Sequence, residues 1–244
     1  MQISSGTAFR EDELTKGQAI DGTLSVVIPT LNAAATVSAT LDSLATLGRH
    51  GRLIEIIVVD GGSHDETCAL ACDLGARVVM GPRGRGRQLA AGALAATGDV
   101  LLFLHADTRL DATACATLSA FGGGAQAGYF RFALDDDAPA ARRLERWVAR
   151  RCRWLGLPYG DQGLILTRRL YLEVGGFRPL PLMEDVDLVL RLGRTRLAAL
   201  PGTALTSAER FKRRGYLRQS ARNLCCLCLY LSGLSAERVA KLYG

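Results

Sequence analysis

The run Leu101-Leu102-Phe103-Leu104 delivers His105 and Asp107, two residues apart, where a strand should end. Strands buried on both faces of a parallel sheet read as continuous apolar runs, not alternating ones. Leu24 to Pro29, Ile54 to Asp60 and Ala76 to Met80 share that character, and Asp99 to Leu104 is the fourth such strand. Helical stretches lie between them. Val37, Leu41 and Leu44 recur at helical spacing, and an Ala-rich helix is expected from about Arg87 to Ala96. Ser63-His64-Asp65-Glu66 has the form of a capping box, which predicts a helix start. Strand and helix in alternation predict a mostly parallel α/β sheet flanked by helices. Ligands of such sheets sit outside the carboxyl ends of the strands.

The second half is less regular. Tyr129 to Leu134 alternates like an antiparallel strand, and Leu164 to Thr167 is a short strand. Ala138 to Trp154 reads as a basic helix and Glu184 to Arg194 as another. Residues 1–22 have no apolar segment of a secretory signal and read as a mobile tail. Residues 23–205 then form the main domain, and 206–244 a C-terminal segment. In that segment Arg210 to Arg222 is basic and Leu224 to Leu234 is apolar but too short to span a bilayer. Such a segment suits packing on the domain, pairing in a homodimer, or lying on a membrane surface through 210–234, and one of its arginines could also contact a diphosphate.

Charged residues make up 22% and apolar residues 48%, an ordinary balance for a globular enzyme. The net charge of +6 suits an anionic partner without choosing one. Seven cysteines in no zinc-like spacing read as reduced core thiols of a cytoplasmic protein.

Three strand ends and one loop carry candidate chemistry. Pro29 turns the first strand out of its ladder, leaving Thr30 and Asn32 at the sheet edge, either for a ligand or with Asn32 as a helix cap. Asp60-Gly61-Gly62 ends the second strand. The glycines allow close approach to a flat ligand, and Asp60 can accept from a base or ribose or can simply organise the turn. Gly81 to Gln88 places Arg83, Arg85 and Arg87 at a helix start, which favours phosphate. A short RNA-binding element is the other reading of that loop, but the aromatic residues of RNA-binding surfaces are missing. Asp107 ends the fourth strand as a candidate metal carboxylate.

Ile28-Pro29-Thr30-Leu31-Asn32, Val58 to Asp65, His105-Ala106-Asp107 and Met183-Glu184-Asp185 together resemble, in order and spacing, a family 2 GT-A glycosyltransferase over about residues 24 to 200. Arg83 to Gln88, Tyr159 to Gly163 and Pro181 to Val186 are similar to the branch of radical-SAM/selenodomain-associated, or arsenosugar-biosynthesis, glycosyltransferases. The resemblance implies a Rossmann-like GT-A domain over 23–205 and a nucleotide-diphospho-sugar donor. It implies that Pro29, Thr30, Asn32, Asp60, Gly61, Arg85, Arg87, Gln88, His105 and Ala106 bind the nucleotide, with Asp60 on the base. Asp107 would hold Mg²⁺ or Mn²⁺. His105 stands where the family's Asp-x-Asp element has its first Asp, so it is either a second ligand or a departure that leaves the metal to Asp107 and the diphosphate.

The acceptor hydroxyl needs a base, for which Asp185 is the choice and Glu184 the runner-up. Asp161 and Gln162 would meet the unknown acceptor, and Asp187 reads as structural or solvated. No Gln-x-x-Arg-Trp motif follows, which implies transfer of one sugar rather than polymerisation. The alternatives are a sugar nucleotidyltransferase and a non-catalytic nucleotide- or RNA-binding protein. The reading adopted includes no nucleic-acid partner and places the protein in the cytoplasm or at the inner face of the membrane.

Overall fold

The computed structural model describes residues 22–47, 52–122 and 124–243. The tail expected over 1–22 lies outside them apart from Gly22. One eight-stranded sheet organises the chain, in the order β3-β2-β1-β4-β7-β6-β8-β5. Here β1 is Leu24–Thr30, β2 Leu53–Asp60, β3 Arg77–Met80, β4 Val100–Phe103, β5 Thr108–Leu110, β6 Ala127–Leu134, β7 Leu164–Thr167 and β8 Leu197–Thr206. The first four strands run parallel, and β7 joins β4 antiparallel. β6 pairs antiparallel with β7 and parallel with β8, and β5 closes the edge antiparallel to β8. The fold is thus the mixed, mostly parallel α/β sheet that the alternation predicts.

All seven residues of β1 are buried because helices cover both faces. On one side α1 (Ala34–Leu44) inserts Val37, Leu41 and Leu44 beneath Val26, Ile28 and Leu102. On the other, α3 (Arg85–Ala95) lays Leu89 and Ala93 over Val27, Val59 and Leu101. The close approach of α3 has a local cause. A Cβ at Gly92 would lie 2.3 Å from a Val27 methyl. Helix α3 starts at Arg85, two residues earlier than its periodicity suggests, because Gly84 at φ 127° supplies the entry bend.

Helix α2 (Thr67–Asp73) does not use the expected capping box. Ser63 is already held by Asp60, and Asp65 takes over by accepting from the amide of Thr67 and from that of Ala34 at the start of α1. Helix α4 (Ala112–Ala120) is capped by Asp111, which accepts from Ala114 N at 2.7 Å.

Helix α5 (Pro139–Leu155) packs on β6 through Ala141, Val148 and Cys152. Helix α6 (Arg168–Glu173) follows β7, and α7 (Glu184–Leu192) begins after Met183, a left-handed residue at φ 65°. Helices α8 (Glu209–Arg214), α9 (Tyr216–Leu231) and α10 (Ala236–Tyr243) complete the chain.

These last helices pack on the domain. Phe211 and Tyr216 join the core under α5, and Leu227 and Tyr230 pack against the α7 cluster. The acidic run Asp135-Asp136-Asp137 is part of this junction. Asp135 accepts from Ala208 N and Asp136 from the Tyr216 hydroxyl at 2.6 Å. No helix among the described residues is long and apolar enough to cross a membrane. The seven thiols are all free, but Cys72, Cys225 and Cys228 are exposed and so are not core residues.

Candidate active site

The sheet changes direction of growth between β1 and β4, and a cleft of about 590 Å³ opens at their carboxyl ends. Pro29, Thr30 and Asn32 form one wall, Arg83, Arg85 and Gln88 a second, and His105, Ala106 and Asp107 the floor. Glu184 comes from α7, and Ser207, Glu209, Arg210 and Arg213 come from the C-terminal segment. That segment is therefore part of the site rather than an appendage, and Ser207 N also donates to Asp107 O at 2.9 Å.

The end of β2 is internally satisfied. Asp60 is fully buried. Its Oδ2 accepts from the amides of Gly62 and Ser63 at 2.9 and 2.7 Å, and its Oδ1 from the hydroxyls of Ser63 and Thr30 at 2.5 and 3.0 Å. Burial alone would raise this carboxyl, but the bonds from Ser63, Gly62 and Thr30 outweigh it and hold the pKa below the usual value. Asp60 thus builds the 60–63 turn and does not face the cleft as a base contact would require.

Gln88 is buried and donates to Thr30 O at 2.7 Å and Val59 O at 2.8 Å, tying the ends of β1 and β2 together. Gly61 lies under that amide, where a Cβ would come within 3.1 Å of it, and so is not on the cleft wall. Asn32, at φ 52°, accepts from His64 N at 2.9 Å and does not cap α1, whose first flanking residue is Ala33. Arg87 is exposed and does not line the cleft, since successive helix positions diverge by about 100° and Arg85 takes the inward direction.

The Asp107 carboxylate has no hydrogen bond or ion pair among the described residues and faces Arg83, Arg85, Arg210 and Arg213 across the cleft. Among the described residues, only Arg85 of these four has an acidic partner, Glu184, at 3.4 Å. The geometry fits a divalent cation held by one carboxylate with the remaining ligands from a diphosphate, which is how Mg²⁺ is commonly bound. No group of three or more ligand-type side chains converges among the described residues. Burial, with Arg85 and Arg210 nearby, pushes the His105 imidazole well below 6.5, so it is neutral at pH 7. Its Nε2 abuts Gly160, where a Cβ would lie 2.5 Å away.

Asp185 lies just behind the floor, beside His105 and Gly160, and its Oδ2 accepts from Gly160 N at 2.8 Å. Glu184 is 1% exposed, and burial raises its carboxyl against the pull of Arg85. Asp161 sits in the same turn as Gly160. Its Oδ1 is buried with no hydrogen-bond partner among the described residues, and burial pushes its pKa up to about 6, with Arg151 opposing and the Asp185 and Asp107 charges adding to the rise.

Gln162 is not available to a ligand. Its amide donates to Phe130 O at 3.0 Å and its carbonyl oxygen accepts from Tyr159 N and from Arg151. Arg151 also stacks on the Tyr159 ring at 3.4 Å, which fixes the turn to α5. Asp187 is structural, bonded to Arg191 and Arg178 and to the Tyr230 hydroxyl.

Sequence reading misses Ser207, and it offers diphosphate contact to one arginine of the C-terminal run without choosing Arg210 or Arg213. Their only signal is a run of basic residues that also suits a solvated or lipid-facing helix.

Residues 25–121 match the model of glycosyl transferase family 2. That match covers less than half of the chain. Glucosyl-3-phosphoglycerate synthase of Mycobacterium tuberculosis is 37% identical over 94 residues, covering 35% of this chain and 29% of that protein. A PGL/p-HBAD biosynthesis glycosyltransferase of Mycobacterium bovis is 41% identical over 109 residues, 41% of each chain. The chain thus spans less than half the length of these curated relatives.

Solved structures of the GT-A type share the fold over more of the chain. The synthase of M. tuberculosis with Mn²⁺, UDP-glucose and glycerol 3-phosphate has a TM-score of 0.53 at 25% identity, covering 83% of this chain and 76% of that one. A mannosyltransferase of Pyrobaculum calidifontis with GDP-mannose and Mn²⁺ has a TM-score of 0.58 at 17% identity, covering 82% and 60%.

Proposed function

We propose that this protein moves one sugar from a nucleotide-diphospho-sugar to an acceptor hydroxyl, with inversion at the anomeric carbon. The observation that carries this reading is that the Asp107 carboxylate shares a cleft with four arginines at the switch point of the sheet. The family match of residues 25–121 supports it, as do the nucleotide-sugar complexes of the solved relatives.

Thr30, Asn32 and Ala106 would border the nucleotide, and Asp60, Gly61 and Gln88 would shape that wall from behind. Arg83, Arg85, Arg210 and Arg213 would surround the diphosphate. A divalent cation held by Asp107 would supply further charge neutralisation at the leaving diphosphate. Asp185 would accept the acceptor's proton as its oxygen bonds to the anomeric carbon and the bond to the diphosphate breaks. The arginines would stabilise the charge that the departing diphosphate gains. Asp161 would orient the acceptor, its unpartnered oxygen offering a hydrogen-bond position.

The arsenosugar branch rests on the Arg83–Gln88, Tyr159–Gly163 and Pro181–Val186 motifs alone. The solved relatives bind different donor bases, uridine in one and guanosine in another, so the base is a matter for measurement.

Calorimetry and thermal shift with UDP, GDP, CDP and dTDP, each with Mn²⁺, Mg²⁺ or chelator, test the reading. One nucleotide is expected to stabilise the protein in the presence of metal and to fail with Asp107→Ala. Tight, salt-sensitive RNA binding with no response to any nucleotide would overturn it.

A further inference from the structure

Helix α5 has two faces of opposite character. Ala141, Val148 and Cys152 face the core. Outside, Trp147 and Trp154 are 65% and 62% exposed, seven residues apart and so on one line along the helix. Arg143 and Arg150 alternate with them along that line, and Arg146 and Arg153 flank it on one side. All four arginines are exposed, and none has an acidic partner within 4.0 Å among the described residues. Leu155, 58% exposed, ends the row. The neighbouring helix α9 adds Leu217, Leu224 and Leu231, exposed at seven-residue intervals.

Exposed tryptophan is costly in water, and Trp and Arg side chains together suit the boundary between headgroups and acyl chains. We propose that the outer face of α5, extended by the exposed leucines of α9, docks on an anionic lipid bilayer. The charge decides among occupants. A second copy placed symmetrically would set the arginine row against itself. Single-stranded RNA would suit the arginines and the indoles but leave the leucines of α9 without a role. An anionic bilayer satisfies all three groups.

The docking element is therefore α5 with α9, and not the 210–234 segment as a whole. Arg210 and Arg213 of that segment turn toward the cleft.

Trp147 and Trp154 are the only tryptophans of the chain, so fluorescence reports directly on this face. The full chain would be titrated with phosphatidylcholine vesicles, with vesicles containing phosphatidylglycerol, and with a single-stranded RNA oligonucleotide. The expected result is a blue shift, with quenching by brominated acyl chains, only for the anionic vesicles. A basic residue near such a surface is worth about fivefold in partitioning. Arg143→Gln with Arg150→Gln should thus weaken partitioning roughly 25-fold at low salt. Both residues lie outside the cleft, so nucleotide binding by this variant should match wild type and separates this test from that of the proposed activity.

Three outcomes would overturn the docking proposal. They are no response to anionic vesicles, a response to RNA alone, or emission already shifted in a sedimenting dimer.

Discussion

Asp161→Asn isolates the most unusual carboxyl of the site. In the folded protein burial moves this group from 3.8 to about 6. At about 1.36 kcal/mol per pH unit, its charged form costs the fold about 3 kcal/mol once the pH is above 6. The folded state holds the proton more tightly than the unfolded chain between pH 3.8 and 6, so this group makes stability fall as pH rises through that window. Asparagine has the same shape and carries no charge. The variant should unfold at higher urea than wild type at pH 8, by up to about 3 kcal/mol, and the difference should shrink toward zero at pH 4.

Urea denaturation of both proteins at pH 4, 5, 6, 7 and 8 measures the effect. A pH-independent difference, or a less stable variant at pH 8, would refute the reasoning. It would mean that water or a neighbour satisfies the Asp161 anion. Activity should move the other way, because the asparagine keeps one acceptor oxygen but loses the negative charge on the acceptor side.

Asp107→Asn should weaken metal-assisted nucleotide binding by roughly 10- to 100-fold, the value of one charged contact, measured by calorimetry with Mn²⁺. Gly160→Ala drives a methyl to within 2.5 Å of His105 Nε2, and about 1–3 kcal/mol of overpacking should appear in thermal denaturation along with a fall in turnover. Arg191→Met removes the partner 2.5 Å from buried Asp187 and the donor to Gly176 O, and should cost about 3 kcal/mol in denaturant unfolding while leaving the nucleotide affinity of the folded protein unchanged.

The parallel half was legible because its strands are buried on both faces and read as unbroken apolar runs. Strands β5 and β8 were not. β5 has three residues, and β8 carries Pro201 and Gly202, which argue against a strand in sequence. They form because β8 is gripped from both sides, by β6 and by β5.

The site divides in a similar way. Residue types at strand ends marked Asp107, His105 and Thr30, which line the cleft. Sequence could not say which polar side chains turn inward. Asp60 satisfies amides of its own 60–63 turn, whereas Gln88 and Gln162 satisfy backbone carbonyls of strands distant in sequence. Arg210 and Arg213 reach the cleft only because Asp135 and Asp136 pin the C-terminal segment across the sheet.

The two halves of the cleft differ in readiness. Gln88, Asp60, Ser63 and Asn32 hold the ends of β1 and β2 in place with hydrogen bonds to one another and to Thr30 and His64. A donor meeting that wall has little left to order, so its binding need not surrender much chain freedom. On the other side, Asp161 keeps an oxygen with no hydrogen-bond partner among the described residues. The nucleotide side resembles a finished mould and the acceptor side an open contact. Under the proposed activity, substitutions around the 159–162 turn would therefore retune the acceptor while the wall that would hold the donor stays intact.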